Sequence, residues 1–363
     1  MESAVCSVFP DAANRGIRMP IQYPISDPAD WRRLGNPSFL RRAKAHLYHY
    51  TYPAAFTAPR KNLLTKVSGP AVHPVQDDVL AICIVKNAIG YINSFLRYYR
   101  KLGVTRFAFV DDQSNDGTSD VLRNAPDVDL YTSPIRYSEA ARGKAWRDAL
   151  FKIYGANRWY LSLDADEFLV FPDSETMTLP DFIRQLEKAG MQRCHAPMLD
   201  LYPEGPLNGD EFVDDGSRWP FDVSSNFDGD SYTIKLERYG TSVRGGPRKR
   251  FFGRDMRLSK FPLIWVDKAT SYERGSIHGP GPCSRNFVPI TAVLLHYRFS
   301  NQSINEFKNI VNHGGHADGG AHYGAILDHP DFSEDFTLAY DGSVKFSGSA
   351  DLVERGFMMR LPT

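Results

Sequence analysis

The chain has no C-x-x-C pair; its four cysteines, Cys6, Cys83, Cys194 and Cys283, lie far apart in 363 residues. That spacing excludes a zinc ribbon and a disulfide framework and makes a reducing compartment the expectation. Neither sign of charge is in excess, because Lys+Arg and Asp+Glu both total 43. Proteins held to nucleic acid by a basic field look different, so no nucleic-acid partner is expected. Long apolar runs are missing too. LAICIV and TAVLL are far too short to span a bilayer, and the first twenty residues carry no such run. The expectation is a cytoplasmic protein without a secretory signal or transmembrane segment. No repeat of solenoid length is visible. What is present, 42% hydrophobic and 24% charged residues, is the balance of a chain with ample core rather than a disordered or fibrous one.

Regular patterning is scarce at the start, where nine prolines from Pro10 to Pro74 interrupt residues 1–76. One helix is expected from Ser38 through AKAHLYHY. It carries Arg41, Arg42 and Lys44 toward solvent, an anionic substrate or, through peripheral association, a membrane surface. From Asp78 the pattern alternates. Apolar runs at 79–85, 106–110, 128–132 and 158–163 read as buried strands. The segments 91–103, TSDVLRN and 141–155 read as the helices between them. This order predicts an α/β fold with a mostly parallel sheet flanked by helices. Beyond residue 200 the alternation fades into an acidic loop at 204–230, mixed strands around 231–237 and 290–297, and a helix at 303–313. The expected organisation is an N-terminal extension (1–76), a catalytic domain (77–300) and a C-terminal helix, lid and tail packed on it (301–363).

In an open α/β sheet ligands bind beyond the carboxyl ends of the strands. Lys86 and Asn87 follow the first strand, DDQSNDGT with Asp111 and Asp112 the second, and DADEF with Asp164 and Asp166 the fourth. So many carboxylates on one rim either bind a divalent cation or repel one another. Of three D-x-D triplets only Asp164/Asp166 directly follows a buried strand, and it is the candidate site for Mn²⁺ or Mg²⁺. Asp111 is placed to accept hydrogen bonds from a base or ribose, while Asn115, Asp116 and Gly117 suit a turn and helix start. Arg142 and Lys144 open a helix where cations oppose the macrodipole, which a bound polyphosphate would explain. Arg248, in GGPRKRFF, reads either as a phosphate or acceptor contact or as a basic hairpin tip. His296 ends an apolar run, where a satisfied core histidine and a ligand both fit. His313, His316, His322 and His329 lie in a glycine-rich stretch that suits a mobile lid, with His316 the candidate ligand contact.

VKNAIGYINSFLRYYRKLGVTRFAFVDDQSNDGT, RGKAWRDAL and YLSLDADEFLVF together resemble the nucleotide-sugar-binding half of a GT-A glycosyltransferase. The likeness is to bacterial family 2-like enzymes and to the related family 92, which carries the domain of unknown function 23. PMLDLYPEGPL, GGPRKRFF, LSKFPLIW, LLHYRF and GSVKFSGSADLVERGFMM extend it from about Asp78 to the C-terminus, leaving the first 76 residues outside. Ala88 departs from the pattern, standing where relatives carry an acidic residue. The resemblance implies an inverting, metal-dependent transfer of sugar from a nucleotide-diphosphate donor, a UDP-sugar foremost, to a glycan or other hydroxyl acceptor in polysaccharide biosynthesis. It implies that Asp111 contacts the nucleotide, that Arg142 and Lys144 contact the donor, and that Asp164, Asp166 and His296 hold the metal. Inversion needs a general base, for which Asp228 and Asp200 are the candidates. A sugar nucleotidyltransferase, or a non-catalytic nucleotide-sugar-binding module, competes with this reading. The nucleotidyltransferase would want a glycine-rich phosphate loop where VKNAIGY stands.

Overall fold

Four apolar runs form the parallel heart of a six-stranded sheet in the computed structural model, which describes residues 20–51, 62–75, 78–313, 320–333 and 335–362. Across the sheet the strands run Leu263–Val266, Arg158–Leu163, Leu80–Val85, Arg106–Asp111, Val128–Thr132 and Thr65–Ser68. The middle four are mutually parallel and the two outermost antiparallel to their neighbours. The runs are apolar without interruption because both sheet faces are covered. Ala81, Cys83, Phe107 and Phe109 pack with helix Ile92–Lys101 in one cluster. Leu80, Ile82, Ala108 and Val110 pack with helix Lys144–Tyr154 in the other. Each fully buried Leu, Ile or Phe contributes about 2 kcal/mol to holding this three-layer arrangement. Among the described residues Cys83, Cys194 and Cys283 are free and buried.

A second, four-stranded sheet runs Ser259–Lys260, Ala196–Leu201, Val293–Tyr297 and Glu167–Val170. It joins the first where the DADEF turn leaves strand Arg158–Leu163 and enters Glu167–Val170. Helix Ile92–Lys101 fixes that junction: the Tyr98 hydroxyl donates to Leu169 O and the Tyr99 hydroxyl to Glu167 O, both at 2.8 Å.

Two expectations change. The boundary at residue 76 does not separate an extension from the sheet, because Thr65–Ser68 pairs with Val128–Thr132 and Ile21–Tyr23 with Tyr232–Glu237. GGPRKRFF is not a hairpin tip. Gly245 and Gly246 adopt φ of 128° and 72°, and Pro247 then starts helix Gly246–Phe252. The helix expected at 303–313 is present as Ser303–His313. Residues 314–319 of the expected lid, with His316, lie outside the described residues; beyond them His322 is buried in helix Ala321–Leu327.

Candidate functional site

The two sheets converge on one group of charged side chains. In the second sheet His296 stands opposite Glu167 on one neighbouring strand and Asp200 on the other. His296 Nδ1 lies 2.6 Å from Asp200 Oδ1, and its Nε2 lies 3.2 Å from Asp166 Oδ2. Arg248 Nη2 reaches the same Asp200 oxygen at 2.7 Å, and Arg298 approaches Asp166 at 3.4 Å. Beside them Asp164 meets Arg147 at 2.9 Å and Lys260 Nζ at 2.5 Å, and Lys260 also pairs with Glu167. Asp164 is 38% exposed while Glu167 is fully buried, so the group opens to solvent on the Asp164 side.

These contacts set the charge states. Burial opposes ionisation of Asp164, but Lys260 and Arg147 outweigh it and hold the carboxyl at about 2. Asp166 is likewise pulled well below the usual carboxylate range, against burial, chiefly by His296 and then Arg298. Burial pushes Glu167 up despite Lys260. His296 would lose its proton on burial alone, yet Asp166 and Asp200 raise it to about 9. The carboxylate rim is therefore relieved from within. Repulsion and a bound cation were the two outcomes expected from sequence; four fixed cations, Arg147, Lys260, Arg248 and Arg298, provide a third.

The remaining expected residues divide. Asp111 is the keystone of its turn, accepting from Ser114 N at 3.0 Å, Ser114 Oγ at 2.5 Å and the Ser119 hydroxyl. Asn87, at φ 53°, belongs to the same knot; its N–H donates to Ser114 Oγ and its Oδ1 accepts from Asn115 N. Asp112 is raised by burial, and Arg136, at 3.2 Å, works against this; the half-buried Lys86 acts on it the same way. Arg142 is exposed and Lys144 half-buried. Ala141, Arg142 and Gly143 hold consecutive φ of 53°, 62° and 71°, so the helix carrying Arg147 starts from a left-handed run. A Cβ on Gly143 would sit 2.7 Å from Ile84 Cδ1 and 2.9 Å from Tyr137 Cε2, which explains the glycine there.

Three assignments are corrected. Arg248 does not face a ligand at a basic tip: it is buried against Asp200. Asp228 is fully buried and accepts two bonds from Arg250 at 2.9 Å, one from Tyr202 at 2.9 Å and one from Ser231 at 2.7 Å, an anchor rather than a free base. Asp200 is equally inaccessible, committed to Arg248 and His296. Sequence reasoning missed Lys260, Arg147, Arg298 and Glu306. Glu306, on helix Ser303–His313, is raised by burial and acted on by the charges of Arg298, Asp166 and His296. For Arg147 a signal existed: it is a charged residue on an apolar helix face, between Ala145/Trp146 and Leu150/Phe151. Lys260 left none.

Among the described residues no three His, Cys, Asp or Glu side chains converge as a metal site. Asp166 and His296 do form a two-ligand set. The imidazole Nε2 faces the carboxylate while Nδ1 is held from behind by Asp200, the carboxylate-backed arrangement of metal-binding histidines. Asp164 fits less well, since Arg147 and Lys260 occupy both its oxygens.

No known family matches the chain, and no curated protein matches it. Solved structures do, among them a crystal structure of 4-diphosphocytidyl-2C-methyl-D-erythritol synthase. It is 14% identical, covers 39% of this chain and 69% of its own, and superposes with a TM-score of 0.23. A likeness this slight carries no argument about site or substrate.

Proposed function

We propose that the chain is a glycosyltransferase of GT-A type that moves sugar from a nucleoside-diphosphate donor to a hydroxyl acceptor. The observation that supports this most is the Asp164–Asp166 turn. It leaves a central parallel strand at its carboxyl end and sits among buried cations and one solvent-facing carboxylate. A diphosphate leaving group develops negative charge, and preorganised Lys and Arg groups in a poorly hydrated site stabilise it. A divalent cation held by Asp166 and His296 would add Lewis-acid neutralisation of that charge. In this reading Arg142 and Lys144, at the start of the Lys144–Tyr154 helix, meet the donor. With Asp200 and Asp228 committed to fixed ion pairs, Glu306 takes the role of general base.

The test is a thermal-shift panel of UDP-, GDP-, CMP- and dTDP-sugars with and without Mn²⁺. One nucleotide class stabilises the chain only with metal, by about 2.7 kcal/mol at a hundred times Kd, and Asp166→Ala abolishes the effect. Unchanged metal-dependent binding in Asp166→Ala refutes the site. Detection of a glycosylated acceptor separates transfer from mere binding, and pyrophosphate release from a nucleoside triphosphate would identify a nucleotidyltransferase instead.

A further inference from the structure

Helix Phe39–Thr51 has its polarity reversed. The side packed on the body presents Arg42, Ala45, Tyr48 and His49; Arg42 donates to the carbonyls of Gly35, Phe287 and Ser284 at 2.9, 3.2 and 3.3 Å. The outward side carries Phe39, Leu40, Leu47 and Tyr50, exposed by 87%, 62%, 62% and 56%. At about 100° per residue Phe39, Ala43, Leu47 and Tyr50 fall within about 80° of arc, with Leu40 alongside, an apolar stripe about 16 Å long. A surface helix normally buries such a stripe; one turned to water marks a docking face.

The sequence around the helix indicates what docks. No Asp or Glu occurs from Trp31 to Gln76, and the same stretch holds eight Lys and Arg residues. In a chain of zero net charge this stretch is acid-free in sequence; Arg33 and Lys66 pair with Asp30 and Asp129, while Lys44 is exposed on the helix itself. Among the described residues no helix is long and apolar enough to cross a membrane. Apolar side chains flanked by bases, on a helix lying along the surface, match an anionic bilayer interface. Nucleic acid would leave the Phe and Leu stripe without a partner. A two-fold pairing of this face would set Lys44 and the other bases of one helix against those of its copy.

We propose that helix Phe39–Thr51 docks the protein in the plane of an anionic lipid surface. The test is co-sedimentation of the full chain with vesicles of phosphatidylcholine alone and of phosphatidylcholine doped with phosphatidylglycerol. The chain should pellet only with the anionic vesicles, and less at high salt. Phe39→Ser/Leu47→Ser, which leaves every charge in place, should weaken partitioning by at least about tenfold. Lys44→Glu should weaken it by about fivefold or more. Both variants alter exposed side chains, and unchanged thermal melts would verify their folding. Failure to pellet with anionic vesicles overturns the proposal, as does undiminished pelleting of the natively melting Phe39→Ser/Leu47→Ser variant. Oligonucleotide binding that survives that variant would assign the bases to nucleic acid. A dimer that the variant dissociates would assign the stripe to a second copy. The outcome does not depend on whether sugar nucleotides bind.

Discussion

Lys260 offers the sharpest test of the charge network. Its side chain is 7% exposed and its ammonium is paired with both Asp164 and Glu167. Lys260→Met keeps the aliphatic stem and removes the charge, leaving the fully buried Glu167 without its cation. Breaking a buried pair from one side costs about 3–5 kcal/mol. Asp164 is 38% exposed and water screens it, so the low end, about 3 kcal/mol, is expected. With a urea slope near 3 kcal/mol per molar, the unfolding midpoint should fall by about 1 M at neutral pH. The sign with pH is fixed. In the native chain Asp164 is held at about 2, below its ordinary 3.8, so its contribution is present above 3.8 and lost as pH falls toward 2. In Lys260→Met both carboxyls protonate at higher pH and the buried neutral acids cost less. The deficit relative to the native chain is therefore largest at about pH 7 and shrinks by about pH 5. Glu167→Gln added to Lys260→Met should recover part of the loss. An equal deficit at both pH values would mean that lost packing, not lost charge compensation, is responsible, and the reasoning would fail.

His296 gives the opposite pH sign. Raised from 6.5 to about 9, it contributes stability fully present below 6.5 and lost as pH rises through 9. With metal chelated, this should appear as about 3 kcal/mol of declining stability in urea titrations, and His296→Gln should flatten it. At the left-handed run, Gly143→Ala meets Ile84 and Tyr137 and should cost about 3 kcal/mol, because strain and overlap add. Gly155→Ala, at φ 91° with open space around its Cβ, should cost only about 1 kcal/mol. Thermal melts of the two variants would compare them directly, and equal losses would exclude the steric account.

The strands were legible because an uninterrupted apolar run has one explanation in an alternating chain: burial on both faces. The rim carboxylates were legible because they directly follow those strands. Their partners were not. Lys260 lies 96 positions from Asp164 in sequence, and only antiparallel pairing of Lys260 with Ala196 brings it near. Arg248, Lys249 and Arg250 look like a single solvated cluster, but on a helix they splay by about 100° each. Arg248 is buried on Asp200, Lys249 is exposed, and Arg250 clamps Asp228. Asp228 looked loop-bound in NFDGD until the chain's end returned as Ser343–Lys345 to pair with Asn226–Asp228 and seal it in.

The placement of His296 has an evolutionary consequence. Its strand has neighbours on both sides, and each supplies an acid at the matching rung. Sliding Val293–Tyr297 by one residue would turn the imidazole to the opposite face and thrust Leu295 or Tyr297 among ionised groups. Insertions or deletions in this segment should therefore be purged outright. Divergence in this segment must come from swapping side chains around a register that itself stays fixed.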